Sequence, residues 1–330
     1  MARLRLTLAC GDYDRTRALR DGTVQVEGVD LNYIALGPEE IFWRMEHYEE
    51  FDAAEMSLGT YLILRGKGDE RFIAIPVFPS RAFRHNSIYV NTASGIERPE
   101  QLKGCRMGVP EYNVTAAVWV RGILQHEYGV HPSDIRWYQG GLHEPGRREK
   151  AMGTLPPGVV VESIPPGRTL NEMLEAGELD ALHAPRLPKA FAAGSPRVRR
   201  LFPNFREVEQ EYFRRTGIFP IMHTVVLRRE VYAANRWVAE SLFKAFVRAK
   251  ELCAAAMYDT VALSYMLPWM IDEIEQARQL MGHDYWPYGL EANRRPLEAL
   301  TLYAYEQGLT PERLPLEPLF AAPTLEEFKI

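Results

Sequence analysis

Short apolar runs alternate along this chain with longer segments of helical periodicity. The first run, "RLRLTLAC", places leucines at every second position, as a half-buried strand does. The segment "EEIFWRMEHY" instead places Ile41, Met45 and Tyr48 on one side of a helix. Strands that alternate with helices are typical of proteins in which helices cover a mostly parallel sheet. The sequence therefore predicts an α/β fold.

A second series of strands and helices lies inside the chain, between the extended runs "SIYVN" and "HTVVLRRE". A lobe that is inserted between two crossing strands needs such a flanking pair. We therefore expect residues 1–92 to begin a first lobe, residues 93–222 to form a second, and residues 223–330 to return to the first. The cleft between two lobes is the natural place to look for a ligand site.

The composition excludes several classes of protein. Hydrophobic residues make up 46% and charged residues 25% of the 330 residues, which is ordinary for a globular protein. A net charge of -5 disfavours general binding to nucleic acid, and no window suits a membrane span. The apolar part of the N-terminus is too short for a secretory signal. The three cysteines show neither disulfide nor zinc spacing, so we expect reduced thiols and a cytoplasmic location.

The segment "RAFRHNSIYV" places two arginines and a histidine directly before an apolar strand. Such charges are costly to bury unless something pairs with them. Arg81 and Arg84 can each grip a carboxylate through two parallel hydrogen bonds. His85 can transfer a proton, because imidazole titrates near neutral pH. The alternatives are arginines paired with solvent, a histidine satisfied by the backbone, and an internal salt bridge between Arg84 and Glu55.

Further polar residues lie at the ends of other predicted strands. Glu55 and Ser57 occur in "AAEMSLGT", between a strand and a helix. Ser57 and the amides after it can hold an anion, and Ser57 can also cap the helix. His223 lies in the apolar run at which the chain returns to the first lobe. It is either a core residue or, with a suitable partner, an acid or base.

The remaining candidates also occupy predicted strand or helix ends. Asn113 and Thr115 lie at the start of the second-lobe helix, where free amides favour a carboxylate, although Thr115 fits equally well as a cap. His183 follows the strand "LDAL" and Arg15 follows the first strand, and His183 has a surface position as its alternative. The eight histidines are scattered and no H-E-x-x-H motif occurs, so the sequence indicates no metal site.

The order of the longer motifs resembles one enzyme family and one fold. "GELDALHAP" and "LKGCRMGVPEYNVTAAVWVRGIL" resemble the second lobe of the type II periplasmic-binding-protein fold. Five further stretches lie in order along the chain: "FDAAEMSLGTY", "IPVFPSRAFRHNSIYVN", "GVPEYNVTAAVWVRGILQHEYGV", "GIFPIMHTVV" and "HDYWPYGLEANR". Through them the chain resembles, from about residue 3 to about residue 310, the 4,5-dihydroxyphthalate decarboxylase family. That resemblance implies a cytoplasmic enzyme that converts 4,5-dihydroxyphthalate to protocatechuate and carbon dioxide.

Decarboxylation of a para-hydroxylated benzoate makes specific chemical demands. Direct loss of carbon dioxide leaves an aryl anion, whereas prior protonation of the ring carbon avoids it. The site then needs an acid near that carbon, a partner for the phenol and cations for the carboxylates, but no electron-sink cofactor. The catalytic candidates are His223, His85 and Glu55. The substrate-binding candidates are Arg81, Arg84, Ser57, Asn113, Thr115, Arg15 and His183.

A binding protein for an aromatic or heterocyclic acid is the alternative function. It would use the same cleft and arginines, but no proton donor would reach the ring. A further alternative, an enzyme of precursor or pyrimidine chemistry, predicts a nucleotide-like or pyridoxal-like ligand. The aromatic segment "GHDYWPYG" is expected to pack internally or to form a subunit contact, so a homo-oligomer stays open. We expect a small aromatic acid as partner, and neither nucleic acid nor a membrane.

Overall fold

The structure is a computed structural model that describes residues 3–146 and 155–325. Its first sheet has the order β2-β1-β3-β11-β4. Strand β1 runs parallel to β2 and β3, whereas β11 runs antiparallel to β3 and β4. The chain therefore returns to its first sheet at β11, between two strands formed much earlier. These strands are β1 (Leu4–Cys10), β2 (Val29–Ala35), β3 (Ala53–Ser57), β4 (Phe72–Ile75) and β11 (His223–Arg228).

The second sheet has the order β10-β5-β9-β6-β7-β8. Strand β5 is antiparallel to β9 and β10, so "SIYVN" belongs to this sheet. The change of sheet falls within residues 76–87, which is earlier than the boundary at residue 92 that we expected. An apolar run shows that a strand exists, but not which sheet it joins. The strands are β5 (Ile88–Asn91), β6 (Arg106–Val109), β7 (Arg136–Gln139), β8 (Val161–Ser163), β9 (Ala181–His183) and β10 (Val198–Arg200).

Helices cover both sheets. The helix α4 ends where Gly129 adopts φ 64°, and its N-cap is Val114 rather than Thr115, the cap that the sequence offered. The longest described helix is α9. The helices are α1 (Arg17–Arg20), α2 (Pro38–Tyr48), α3 (Leu58–Gly66), α4 (Thr115–Tyr128), α5 (Leu170–Ala176), α6 (Lys189–Ala192), α7 (Phe205–Thr216), α8 (Arg229–Ala234), α9 (Trp237–Met257), α10 (Met270–Met281) and α11 (Arg294–Glu306).

Helix α4 contributes to the cores of both lobes. One side of the helix is buried in the core of the first lobe and another in the core of the second. Burial on two sides fixes the helix between the sheets. The first set is Ala116, Trp119 and Ile123, and the second set is Ala117, Val120 and Leu124.

The two segments that cross between the sheets pair with each other. Arg81 and Ile221 face each other in a short antiparallel bridge. The N–H of Met222 donates to the carbonyl of Ser80 at 2.8 Å, and the indole N–H of Trp119 donates to the carbonyl of Ile221 at 2.8 Å. The segments that carry the arginine cluster and His223 therefore run side by side.

Several smaller expectations can be compared with the structure. The segment "GHDYWPYG" packs inside the chain, since Trp286 donates to the carbonyl of Phe78 at 2.9 Å. The Gly/Pro-rich segment 140–168 contains β8, and its residues 147–154 lie outside the described part. All three cysteines are free thiols. Among the described helices, none has the length and hydropathy that crossing a membrane requires.

Candidate active site

A glutamate and a histidine from neighbouring strands form the centre of the site. The Nδ1 atom of His223 lies 2.6 Å from Oε1 of Glu55. In the register of β11 on β3, His223 is opposite Ser57 and Val225 is opposite Glu55, so the three polar side chains share one face. The Glu55 side chain is fully buried, while that of His223 keeps 19% of its surface exposed. The carboxylate therefore lies behind the imidazole.

Three further donors surround the Glu55 carboxylate. The N–H of Gly11 donates to Oε2 at 2.9 Å, and the hydroxyl of Tyr13 donates to Oε1 at 2.8 Å. The thiol of Cys10 lies 3.6 Å from Oε2. Burial alone would raise the pKa of Glu55, but the hydrogen bond and charge of His223, aided by Gly11 and Tyr13, hold that pKa below its usual range. Glu55 is therefore ionised at neutral pH.

The ionised carboxylate fixes the histidine tautomer. Because a carboxylate can only accept hydrogen bonds, Nδ1 of His223 must carry a proton and donate it. The other ring nitrogen, Nε2, is left for a ligand. The ring of Phe42 meets the imidazole edge-on, with centroids 4.9 Å apart, and restricts its orientation. A positioned imidazole with a carboxylate behind it is suited to proton transfer, since the carboxylate stabilises the imidazolium form.

Arg15 brings a positive charge beside this pair. Its guanidinium lies 4.2 Å from the centroid of the Tyr13 ring and 4.5 Å from that of Trp286. Its Nε donates to the carbonyl of Pro79 at 2.6 Å, and its Nη1 pairs with Asp14 at 2.9 Å. Two aromatic rings and the crossing segment thus fix the cation beside the Glu55–His223 pair.

Two helix N-termini meet at Ser57 and Thr115. Their hydroxyl oxygens are 2.9 Å apart, and Thr115 Oγ1 accepts the N–H of Gly59 at 2.8 Å. Ser57 caps α3 as predicted, whereas the Thr115 hydroxyl serves α3 rather than its own helix. The contact joins the lobes and directs the positive ends of both helices to one place. Asn113 is buried just before α4.

Arg84 is a half-buried cation beside the paired crossing segments. Its Nε donates to Sδ of Met222 at 3.2 Å, which is a weak acceptor. Within residues 3–146 and 155–325, no carboxylate lies within ion-pair distance of Arg84, so the alternative of a salt bridge to Glu55 is wrong. Burial lowers the pKa of Arg84 to about 10, although the charge of Glu209 opposes this shift. Arg84 therefore remains a cation that can receive an anion.

His183 ends β9 at the carboxyl edge of the second sheet and is fully buried, so the surface alternative is wrong. Its Nδ1 lies 3.3 Å from the hydroxyl of Ser87. In the described part of the chain its Nε2 has no hydrogen-bond partner. Burial, together with the nearby charge of Arg84, lowers the pKa of His183 to about 3, so its ring is neutral.

Arg81 does not resemble an anion-binding residue. Its Nη2 donates to the carbonyl of Pro287 at 2.7 Å and to the side chain of Asn293, and its Nη1 donates to the carbonyl of Phe219. Burial lowers its pKa to about 9. The guanidinium is thus used to attach the segment around Pro287 to the crossing segment, which corrects its expected role in binding substrate.

His85 is enclosed by aromatic side chains. Its ring meets those of Tyr128, Phe202 and Tyr212 at centroid distances of 5.2 to 6.2 Å. In the described part of the chain neither ring nitrogen has a hydrogen-bond partner. Burial lowers the pKa of His85 to about 4, so the ring is neutral at physiological pH. This environment favours His223 over His85 as the proton donor.

The sequence did not single out Tyr13, Phe42 or Trp286, which complete the site. Tyr13 follows the end of β1 in "GDYDR", and a polar side chain directly after a strand is a signal that could have identified it. Trp286 belongs to an aromatic segment whose contact with Arg15 depends on the tertiary structure. In residues 3–146 and 155–325, no group of three or more His, Cys, Asp or Glu side chains converges as a metal site would require.

Solved structures define the fold class to which this chain belongs. The periplasmic aliphatic sulphonate binding protein SsuA from Escherichia coli matches with a TM-score of 0.54 and 12% identity, over 98% of this chain and 99% of that one. The desulfurization enzyme DSZB matches with a TM-score of 0.52 and 14% identity, over 98% of both chains. The chain therefore has the expected two-lobed periplasmic-binding-protein-like fold.

Curated relatives then identify the family. No family model matches the chain. A 4,5-dihydroxyphthalate decarboxylase of Comamonas testosteroni is 42% identical over 330 residues, which is the full length of both proteins. A second one, from Pseudomonas putida, is 45% identical over 214 residues, or 65% of this chain and 83% of that protein. This chain belongs to the 4,5-dihydroxyphthalate decarboxylase family, as the motifs predicted.

Proposed function

We propose that this protein removes one carboxyl group from 4,5-dihydroxyphthalate and releases protocatechuate and carbon dioxide. Membership of the family supports the reaction, and one structural observation supports the chemistry. The buried Glu55 holds Nδ1 of His223 at 2.6 Å and leaves Nε2 to carry a proton. A receptor for an aromatic acid would have no use for a buried carboxylate behind a histidine, so this pair favours the enzyme over the binding protein.

The proposed reaction begins with proton transfer to carbon. The ring oxygen para to the departing carboxylate, in its ionised form, supplies electron density to the carbon that bears this group. The Nε2–H bond of protonated His223 breaks, and a C–H bond forms at that carbon. The bond to the carboxylate then breaks, its electron pair restores the aromatic ring, and carbon dioxide leaves. Solvent reprotonates His223, so the reaction consumes one proton overall. Glu55 favours the imidazolium, which is the form that donates.

The proposed binding groups lie around this pair. Arg15 and Arg84 supply cations for the negatively charged groups of the substrate, and the helix N-termini at Ser57 and Thr115 add oriented amides, with Asn113 beside them. No cofactor takes part in these steps. We place the protein in the cytoplasm with a small aromatic acid as its partner, and a homo-oligomer stays a prediction.

The test is turnover of 4,5-dihydroxyphthalate by the purified protein, followed as carbon dioxide release. In deuterated water the protocatechuate should carry one deuterium at the vacated carbon. We expect His223→Gln to lower kcat about 10²–10⁴-fold, the usual contribution of general acid catalysis. The exposed His131 provides a matched control, since His131→Gln should leave kcat unchanged. Tight binding without turnover by the wild-type protein would instead establish the binding-protein alternative.

A further inference from the structure

The hydrogen bonds around His183 determine which of its ring nitrogens carries the proton. The Ser87 hydroxyl donates to the backbone carbonyl of Arg84 at 2.7 Å. A hydroxyl has one hydrogen, so Ser87 has none left for His183 and can only accept from Nδ1 at 3.3 Å. The ring is neutral, and therefore Nε2 carries a lone pair and no proton.

This Nε2 is a buried acceptor that lacks a donor. It has no partner in the described part of the chain, although buried polar atoms are nearly always hydrogen-bonded. A ligand that satisfies it must present a hydrogen. The nearby positive charge of Arg84 adds a second requirement. It opposes a proton on His183, so a group that delivers one must itself become negative in the same step and offset that charge. An acidic hydroxyl, such as a phenol, meets both requirements, whereas a carboxylate cannot donate to Nε2.

We propose that His183 and Arg84 receive the ring hydroxyl para to the departing carboxylate, with Nε2 of His183 taking its proton and Arg84 stabilising the phenolate. This assignment rests on the proposed function. The para hydroxyl and the reacting carbon lie at opposite ends of the benzene ring, so the two histidines that act on them must come from opposite sides of the site. His223 begins β11 in the first sheet, and His183 ends β9 in the second. A ring between the lobes can be served by both.

The proton balance of the whole reaction follows from this assignment. The O–H bond of the phenol breaks, an N–H bond forms at Nε2 of His183, and the electron pair stays on oxygen. After carbon dioxide has left, His183 returns the proton to that oxygen. The net proton still comes from His223. Since Nε2 is buried, a ligand can reach it only when the side chains packed around His183 move apart.

Binding in a variant that cannot turn over provides the test. In a His223→Gln background, we compare 4-hydroxyphthalate with phthalate by calorimetry. The hydroxylated ligand should bind more tightly, and adding His183→Leu should abolish roughly a tenfold preference, as expected for one hydrogen bond. Bound 4-hydroxyphthalate should also show the long-wavelength absorption of a phenolate at neutral pH. This band should disappear with His183→Leu.

Two further measurements separate a binding role from a folding defect. Phthalate affinity should stay constant in His183→Leu, which shows that the site is intact. Ser87→Ala removes the acceptor that keeps the proton on Nδ1 of His183, so the imidazole can adopt the other tautomer. It should weaken both the preference for 4-hydroxyphthalate and the phenolate absorption band, although the imidazole itself is still present. Persistence of both signals in both variants would overturn the assignment. A wild-type protein that prefers 4-hydroxyphthalate and shows the phenolate band, but releases no carbon dioxide from 4,5-dihydroxyphthalate, would refute the decarboxylase activity. It would still support the assignment of His183 and Arg84 to the ring hydroxyl.

Discussion

Replacement of Glu55 by glutamine tests the site most directly. The amide has nearly the same shape as the carboxylate, but it carries no charge to stabilise a protonated His223. The change is confined to one buried atom cluster, since Glu55 touches Gly11, Tyr13, Cys10 and His223. We therefore expect a folded protein with an impaired proton donor.

The size of the effect follows from the contact that is lost. A hydrogen bond to a charged group contributes about 1.5–3 kcal/mol, and each 1.4 kcal/mol corresponds to a factor of ten. Glu55→Gln should thus lower kcat about 10- to 100-fold at neutral pH while changing substrate affinity little. Steady-state kinetics at neutral pH would measure both quantities.

A matched control replaces another glutamate. Glu50 is exposed and pairs with Arg44 at the surface, so Glu50→Gln should retain wild-type kinetics. Thermal unfolding of both variants at pH 7 checks that each is folded. If Glu55→Gln retains the wild-type kcat, the carboxylate does not act through His223, and the proposed mechanism is wrong.

Two predictions concern stability. A Cβ at Gly122 would lie 2.1 Å from the ring of Tyr303, so Gly122→Ala should destabilise the packing of α4 on α11 by about 1–3 kcal/mol in denaturant titrations, whereas Gly37→Ala, in open space, should cost much less. Burial raises the pKa of Glu209 to about 7. Its folded form therefore binds the extra proton, so stability falls as pH rises from about 4.5 to 7. Glu209→Gln should remove part of this fall, and equal slopes in urea titrations of variant and wild type at pH 5 and pH 8 would contradict the reasoning.

Local patterns in the sequence were sufficient for the fold class and for most elements. The period of two in "RLRLTLAC" and the helical period in "EEIFWRMEHY" depend only on neighbouring residues, and β1 and α2 confirm both elements. The boundary of the inserted lobe was expected at residue 92, but β5 already belongs to the second sheet, and its partners β9 and β10 lie about 90 and 110 residues away along the chain. Strand pairing is a long-range choice that an apolar run does not encode by itself.

The site divides in the same way. The sequence alone determined which residue types stand at strand ends, and so it named Glu55, His223, Arg84 and His183 as candidates. Their partners were decided by tertiary structure. Glu55 pairs with a histidine that lies 168 residues later in the chain. Arg81 lies only three residues before Arg84, but its guanidinium donates to backbone carbonyls. The physical reason is that the protonation and availability of a side chain depend on burial and on the donors around it. Those are supplied by distant segments that only the folded chain brings together.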